Sequence, residues 1–173
     1  RVGMSLERAR AVASQAFGHI QLGQHDIASD LLAEARQAFR REGNQVWVAT
    51  LDLHRAALLA QDSASDADLS EALTLSEGAR QIFRRRGMVA KHAYSQLVEG
   101  RLRERMEMTH EAARLYRSAL RAASRLRLPW LLYQSQHALG RLEGRDSPEA
   151  ARRRYQLAID AIESMWCDLQ PEE

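Results

Sequence analysis

The sequence predicts an all-α protein built as a solenoid of four antiparallel helix pairs, and three observations carry that reading. The first is composition. The chain has 28 Ala among 173 residues, against 9 Gly and 3 Pro, and alanine loses no side-chain entropy in a helix whereas Gly and Pro break one. The second is an internal repeat. Residues 28–43 (ASDLLAEARQAFRREG) and 72–87 (ALTLSEGARQIFRRRG) agree at nine of sixteen positions without gaps, and weaker copies follow at 111–120 and 150–159. The third is register. Ala28, Ala72, Ala112 and Ala151 fall at steps of 44, 40 and 39, and Ala35, Ala79, Ala119 and Ala158 repeat those steps. Twelve residues before the first set lie Ala16, Gly100 and the pair Leu139-Gly140, with Ala56 in that role in the second copy, four residues displaced by an insertion. Such small residues mark where helix backbones approach closely. A unit of about 40 residues is too small to bury its own apolar face and must stack on its neighbours.

Each unit reads as two helices, eight in all: about 5–22, 25–42, 45–61, 67–86, 89–106, 110–127, 130–143 and 148–166. Starts are marked by Ser5, by Asn44, by Thr109 with Glu111 in the first turn, and by Ser147-Pro148-Glu149, which supplies a cap, a proline at the first helical position and an acid near the positive helix end. Ends are marked by Arg40-Arg41 before Gly43 and by Arg84-Arg85-Arg86 before Gly87, cations and then glycine. Pro129 opens a new helix after Leu128. Ile27, Leu31, Ala35, Ala38 and Phe39 lie on one face at helical spacing. These signals divide a single array, residues 1–173, into repeats of approximately 5–43, 44–87, 88–128 and 129–166 with a tail at 167–173.

Composition also sets bounds on function. No apolar run nears the roughly 20 residues of a membrane helix. Cys167 stands alone, so no intrachain disulfide or thiolate cage can form, and the N-terminal residues lack an apolar signal segment. A cytoplasmic setting is the expectation. Charge is uneven: residues 1–83 carry 8 basic and 11 acidic groups, residues 84–173 carry 17 and 12.

The residues resemble a named family. Gly23 followed by Ala28, Leu32 and Ala35 is similar to the second half of a tetratricopeptide repeat (TPR), as are Ala112, Tyr116, Ala119 and Ala151, Tyr155, Ala158; Leu139-Gly140 resembles the Leu-Gly pair of that family's first helix. The resemblance spans essentially the whole chain. It implies a right-handed superhelix whose concave wall is lined by first helices. The unit departs from the family in its length, about 40 residues rather than 34, in lacking the first-helix aromatic, and in having no proline after the second helices of copies one and two. The longer unit resembles repeats that precede caspase-like CHAT protease domains, especially in residues 155–164, and those of sensor regions in large ATP-dependent bacterial transcription activators.

Chemistry is hard to find. His110-Glu111 opens like a zinc-protease helix, but the closing position holds Arg114 rather than His. The remaining His residues are isolated or straddle a turn, the glycines do not cluster as a phosphate loop requires, and Asp26/Asp30 and Asp66/Asp68 sit at helix starts, where the dipole favours them. Cys167 has no His nearby in sequence. No catalytic residue, metal site or cofactor is expected.

The expected function is binding of a protein or peptide in the groove, as a regulatory module of a larger bacterial signalling protein, with no membrane role. In this register the wall carries Arg10, Phe17, Gln21, Thr50, His54, Gln61, Tyr94, Leu97, Arg101, Arg105, Gln134, His137 and Arg141. The candidate site comprises Phe17, Gln21, His54, Tyr94, Leu97, Arg101, Arg105, His137 and Arg141, whose arginines could pair an acidic segment or a terminal carboxylate. Where the resemblance would place the cationic clamp for chaperone tails, the first repeat holds Ala13 and Phe17, so that ligand is not expected. The alternative is a sensor or effector solenoid of a bacterial transcription activator; a nucleic-acid-binding basic solenoid is less favoured, since Arg40-Arg41, Arg84-Arg85-Arg86 and Arg125 with Arg127 recur at second-helix ends, where the dipole explains them. Arg152-Arg153-Arg154 lies elsewhere and is the least explained run. An enzyme using Cys167 as nucleophile is the third possibility.

Overall fold

In a computed structural model the chain forms eight α-helices: α1 (Val2–Gln21), α2 (His25–Arg41), α3 (Gln45–Leu59), α4 (Asp66–Arg85), α5 (Val89–Arg105), α6 (Thr109–Leu126), α7 (Pro129–Glu143) and α8 (Pro148–Cys167). The structure describes residues 2–60 and 65–167, with side chains for 6–60 and 65–165. The expected wall residue Gln61, residues 62–64 of the second-copy insertion, the side chains of Trp166 and Cys167, and the tail from 168 on lie outside them. Two compact units divide at Gly87/Met88, the boundary read between the second and third repeats.

In unit 1, α1 packs on α2, α2 on α3 and α3 on α4; in unit 2, α5 packs on α6, α6 on α7, α7 on α8, and α5 also meets α7. The register holds throughout. All four alanines of each repeating set are buried, as are Ala16, Ala56, Gly100, Leu139 and Gly140. Unit 1 gathers Ala13, Ala16, Leu32, Ala35, Phe39 and Leu51, with the Trp47 ring stacked on Phe39 at 4.9 Å between centroids. Unit 2 gathers Leu97, Ala112, Tyr116, Ala119, Leu131 and Leu139.

The helix ends follow local chemistry. Asn44 accepts a hydrogen bond from the Trp47 amide at 3.2 Å and Ser147 one from the Ala150 amide at 3.3 Å. Ser65 and Asp68 close a reciprocal capping box at the start of α4, and the Ser65 hydroxyl and amide hold the Asp68 carboxyl below its ordinary range. Two expected starts differ. α1 already runs from Val2, so Ser5 lies inside it, and Thr109 is the first helical residue of α6 with Met108 in the cap position. At the far ends Gly43 and Gly87 take φ of 69° and 66°, which favours glycine, while Glu107 and Arg127 adopt the same left-handed conformation with side chains, at 60° and 51°.

The close crossings inside unit 2 differ from those inside unit 1. A Cβ added to Gly100 would lie 2.5 and 2.7 Å from the Tyr116 ring, and one added to Gly140 would lie 2.8 Å from that of Tyr155. In unit 1 the corresponding pairs are Ala16 with Leu32 and Ala56 with Ser76, and the aromatic moves seven residues on, to Phe39 and Phe83. Gly100→Ala therefore overpacks the α5–α6 crossing and lowers stability by roughly 1–3 kcal/mol in urea unfolding. Gly78→Ala, at a mid-helix position with nothing within 4 Å, raises it by about 0.5–1 kcal/mol.

Candidate functional site

The first helices of unit 2 bring several of the expected wall residues together. A cleft of ≈ 270 Å³ is lined by Arg101 of α5 and by Tyr133, Gln134, His137, Ala138 and Arg141 of α7. That is below the roughly 300–1,000 Å³ of a small-molecule pocket, so it suits a side chain or chain end rather than a cofactor. Arg101 donates to the Gln134 amide oxygen at 3.0 Å. His137 is exposed, with its ring 6.0 Å from that of Tyr133 and 5.5 Å from that of Tyr155. Nearby, Tyr94 is half-buried and meets Trp130 edge to face at 5.4 Å, and burial pushes its phenol pKa up. Arg105, the last residue of α5, is half-buried and engaged.

Arg141 is tied into the core by a residue that the sequence reading passed over. Glu104 is 8% exposed. Its carboxylate accepts from Arg141 Nε and Nη2 at 3.0 and 2.7 Å and from the Tyr116 hydroxyl at 2.9 Å, with Arg145 at 3.8 Å. A buried charge survives only when paired and hydrogen-bonded in this way. The bidentate bond raises the Arg141 pKa, while burial, reinforced by the neighbouring carboxylate, raises that of Tyr116. The only sequence signal was an acid one helical turn beyond Gly100, on the apolar stripe of α5.

Leu97 is a correction. It is wholly buried, because Ala93, Leu97, Gly100 and Glu104 form the stripe of α5 that faces inward, whereas Tyr94, Arg101 and Arg105 lie on the adjacent stripe. It holds α5 in place and cannot touch a ligand. In unit 1 the Phe17 ring lies 4.4 Å from that of His54, Arg10 and Gln21 are exposed, and Thr50 is occupied by its bond to the Val46 carbonyl at 2.8 Å. The arginine run in α8 is partly explained. Arg154 makes two 3.0 Å bonds to Glu143 and one of 3.1 Å to Gln136, leaving Arg152 and Arg153 exposed. His110 is exposed, and Glu111 pairs with Arg103.

No protein-family model matches the chain, and no curated protein matches it. Among solved structures it is similar to BtubC (BKLC) from P. vanneervenii, with a TM-score of 0.67 at 18% identity over 95% of this chain and 66% of that one. The chain thus spans just under two thirds of that protein's length, and the likeness is one of all-helical fold. Among the described residues no helix is long and apolar enough to cross a membrane.

The Glu104 cluster predicts a pH signature. The folded Tyr116 pKa is raised, so its contribution is complete below the unfolded value of about 10 and is lost as pH rises through the folded value. Stability to urea should fall more steeply between pH 9 and 11 in the native protein than in Tyr116→Phe. That variant should lose about 1 kcal/mol at pH 7.

Proposed function

We propose that the chain is a non-catalytic interaction module of the TPR type, a regulatory part of a larger bacterial cytoplasmic signalling protein, which takes an acidic peptide segment or chain end on the first helices of unit 2. The observation that carries this reading is the α5–α7 cleft, where an arginine, an amide, an exposed imidazole and a phenol ring converge. The acid beside it, Glu104, is already neutralised by Arg141, so the cleft offers donors to an anionic partner without an opposing free carboxylate. Aromatic and arginine side chains are those that dominate peptide recognition. The family and its setting rest on the resemblance of the repeats, on the burial of their small residues at equivalent positions, and on the likeness of residues 155–164 to repeats preceding CHAT domains.

The test is fluorescence anisotropy with a labelled glutamate-rich peptide bearing a free C-terminus. Arg101→Ala should weaken binding by roughly 10- to 150-fold, the value of a charge-assisted hydrogen bond of about 1.5–3 kcal/mol. His137→Ala should weaken it less. Arg101 is the better probe than Arg141, whose removal would also strand the Glu104 carboxylate. Binding unchanged in Arg101→Ala would overturn the assignment.

A further inference from the structure

Arginines occupy the outer face of α6 in a row that helix stability and the repeat account for only in part. Arg114, Arg117, Arg121 and Arg125 follow at steps of 3, 4 and 4, all four are exposed, and within the described residues none makes a hydrogen bond or ion pair. Like charges at these spacings repel, at about 0.2–0.5 kcal/mol a pair. Arg114, Arg117 and Arg121 stand inside the helix, beyond the last turn where the dipole would favour cations. The repeat offers an internal control. The matching positions in α2 are Asp30, Ala33, Gln37 and Arg41, and in α4 they are Thr74, Glu77, Gln81 and Arg85. The last position, at the helix C-terminus, is basic in both, and in α8 the first position is again basic, Arg153, followed by Gln156, Asp160 and Ser164, so Arg117 and Arg121 are the two arginines particular to α6.

We infer that this face of α6 docks the phosphate backbone of a nucleic-acid duplex without reading its sequence, a function beyond peptide binding in the cleft. The four arginines span eleven helical steps, about 16 Å at about 1.5 Å a step. Each strand of a duplex presents a phosphate about every 3.4 Å of its axis, a density of charge high enough for every guanidinium of the row to find one as the two strands wind past it. Arginine binds phosphate bidentately. No apolar or aromatic side chain stands within the stripe, which lacks the anchors of a protein interface and the ring platforms of a single-strand site. The arginines of the cleft differ in this respect, since Arg101 and Arg141 are hydrogen-bonded within the protein.

The test is binding of the full chain to a labelled 20-base-pair DNA duplex over a series of salt concentrations. Four phosphate contacts predict a slope of log K against log salt near −3.6, reduced by about 0.9 for each arginine removed. The triple variant Arg114→Gln/Arg117→Gln/Arg121→Gln should therefore fall to a slope near −0.9, with its helical circular dichroism and melting temperature maintained or raised because repulsion is relieved. A pair change at Arg40→Gln/Arg41→Gln should leave the slope unchanged. A triple variant that binds as the native protein does overturns the inference. So does poly-glutamate or single-stranded DNA competing as well as the duplex, which would assign the stripe to an acidic protein or to a single strand.

Discussion

How near two helix backbones approach at the crossing within each hairpin governs much of what else these residues do. In α5–α6 that approach is so close that the Tyr116 ring lies where a Gly100 side chain would begin. The tyrosine then occupies the centre of the hairpin, wholly buried, and its hydroxyl is carried across to Glu104. Unit 1 fills the same space differently, with Ala16 against Leu32 and the bulk supplied by Phe39 and its stacked partner Trp47. The position of the bulky ring along the second helix thus changes from hairpin to hairpin, while the interior stays closely packed.

From the Tyr116 position a polar chain runs to the surface. Glu104 receives the phenol from α6 and the guanidinium from α7, so three helices of unit 2 converge on one carboxylate. Removing any member leaves a buried polar group in debt, which is why such clusters fix geometry more strictly than apolar contacts do. The consequence for the cleft is that Arg141 arrives there already oriented, while Arg101 is aligned by Gln134. A wall of long flexible side chains thereby becomes partly pre-organised before any partner binds.

Much of this was legible in the residues. The eight helices, the small-residue register and the caps at Asn44 and Ser147 were readable because each has a local cause: propensity, close approach, or an unsatisfied amide near a short polar side chain. Thr109 was misplaced by one residue because a hydroxyl can stand on either side of a helix start, and Met108 took the cap position. Leu97 was misassigned for a geometric reason, since on a helix a residue facing the core and one facing the groove differ by a single step of about 100°. Glu104 was not readable. Its partners lie 12 and 37 residues away, and nothing local distinguishes a paired acid in the core from a solvated one. The four arginines of α6 were all visible in the sequence, but their lack of partners was not.

The Gly–Tyr crossing also constrains how such an array could be recombined. A first helix bearing Gly100 leaves a void if matched with the leucine- or serine-bearing second helices of unit 1, and an alanine-bearing first helix collides with Tyr116. Single helices are therefore not interchangeable parts here. Any duplication, deletion or designed graft must exchange α5 with α6, or α7 with α8, as an inseparable piece, and the heritable module of this chain is the matched pair.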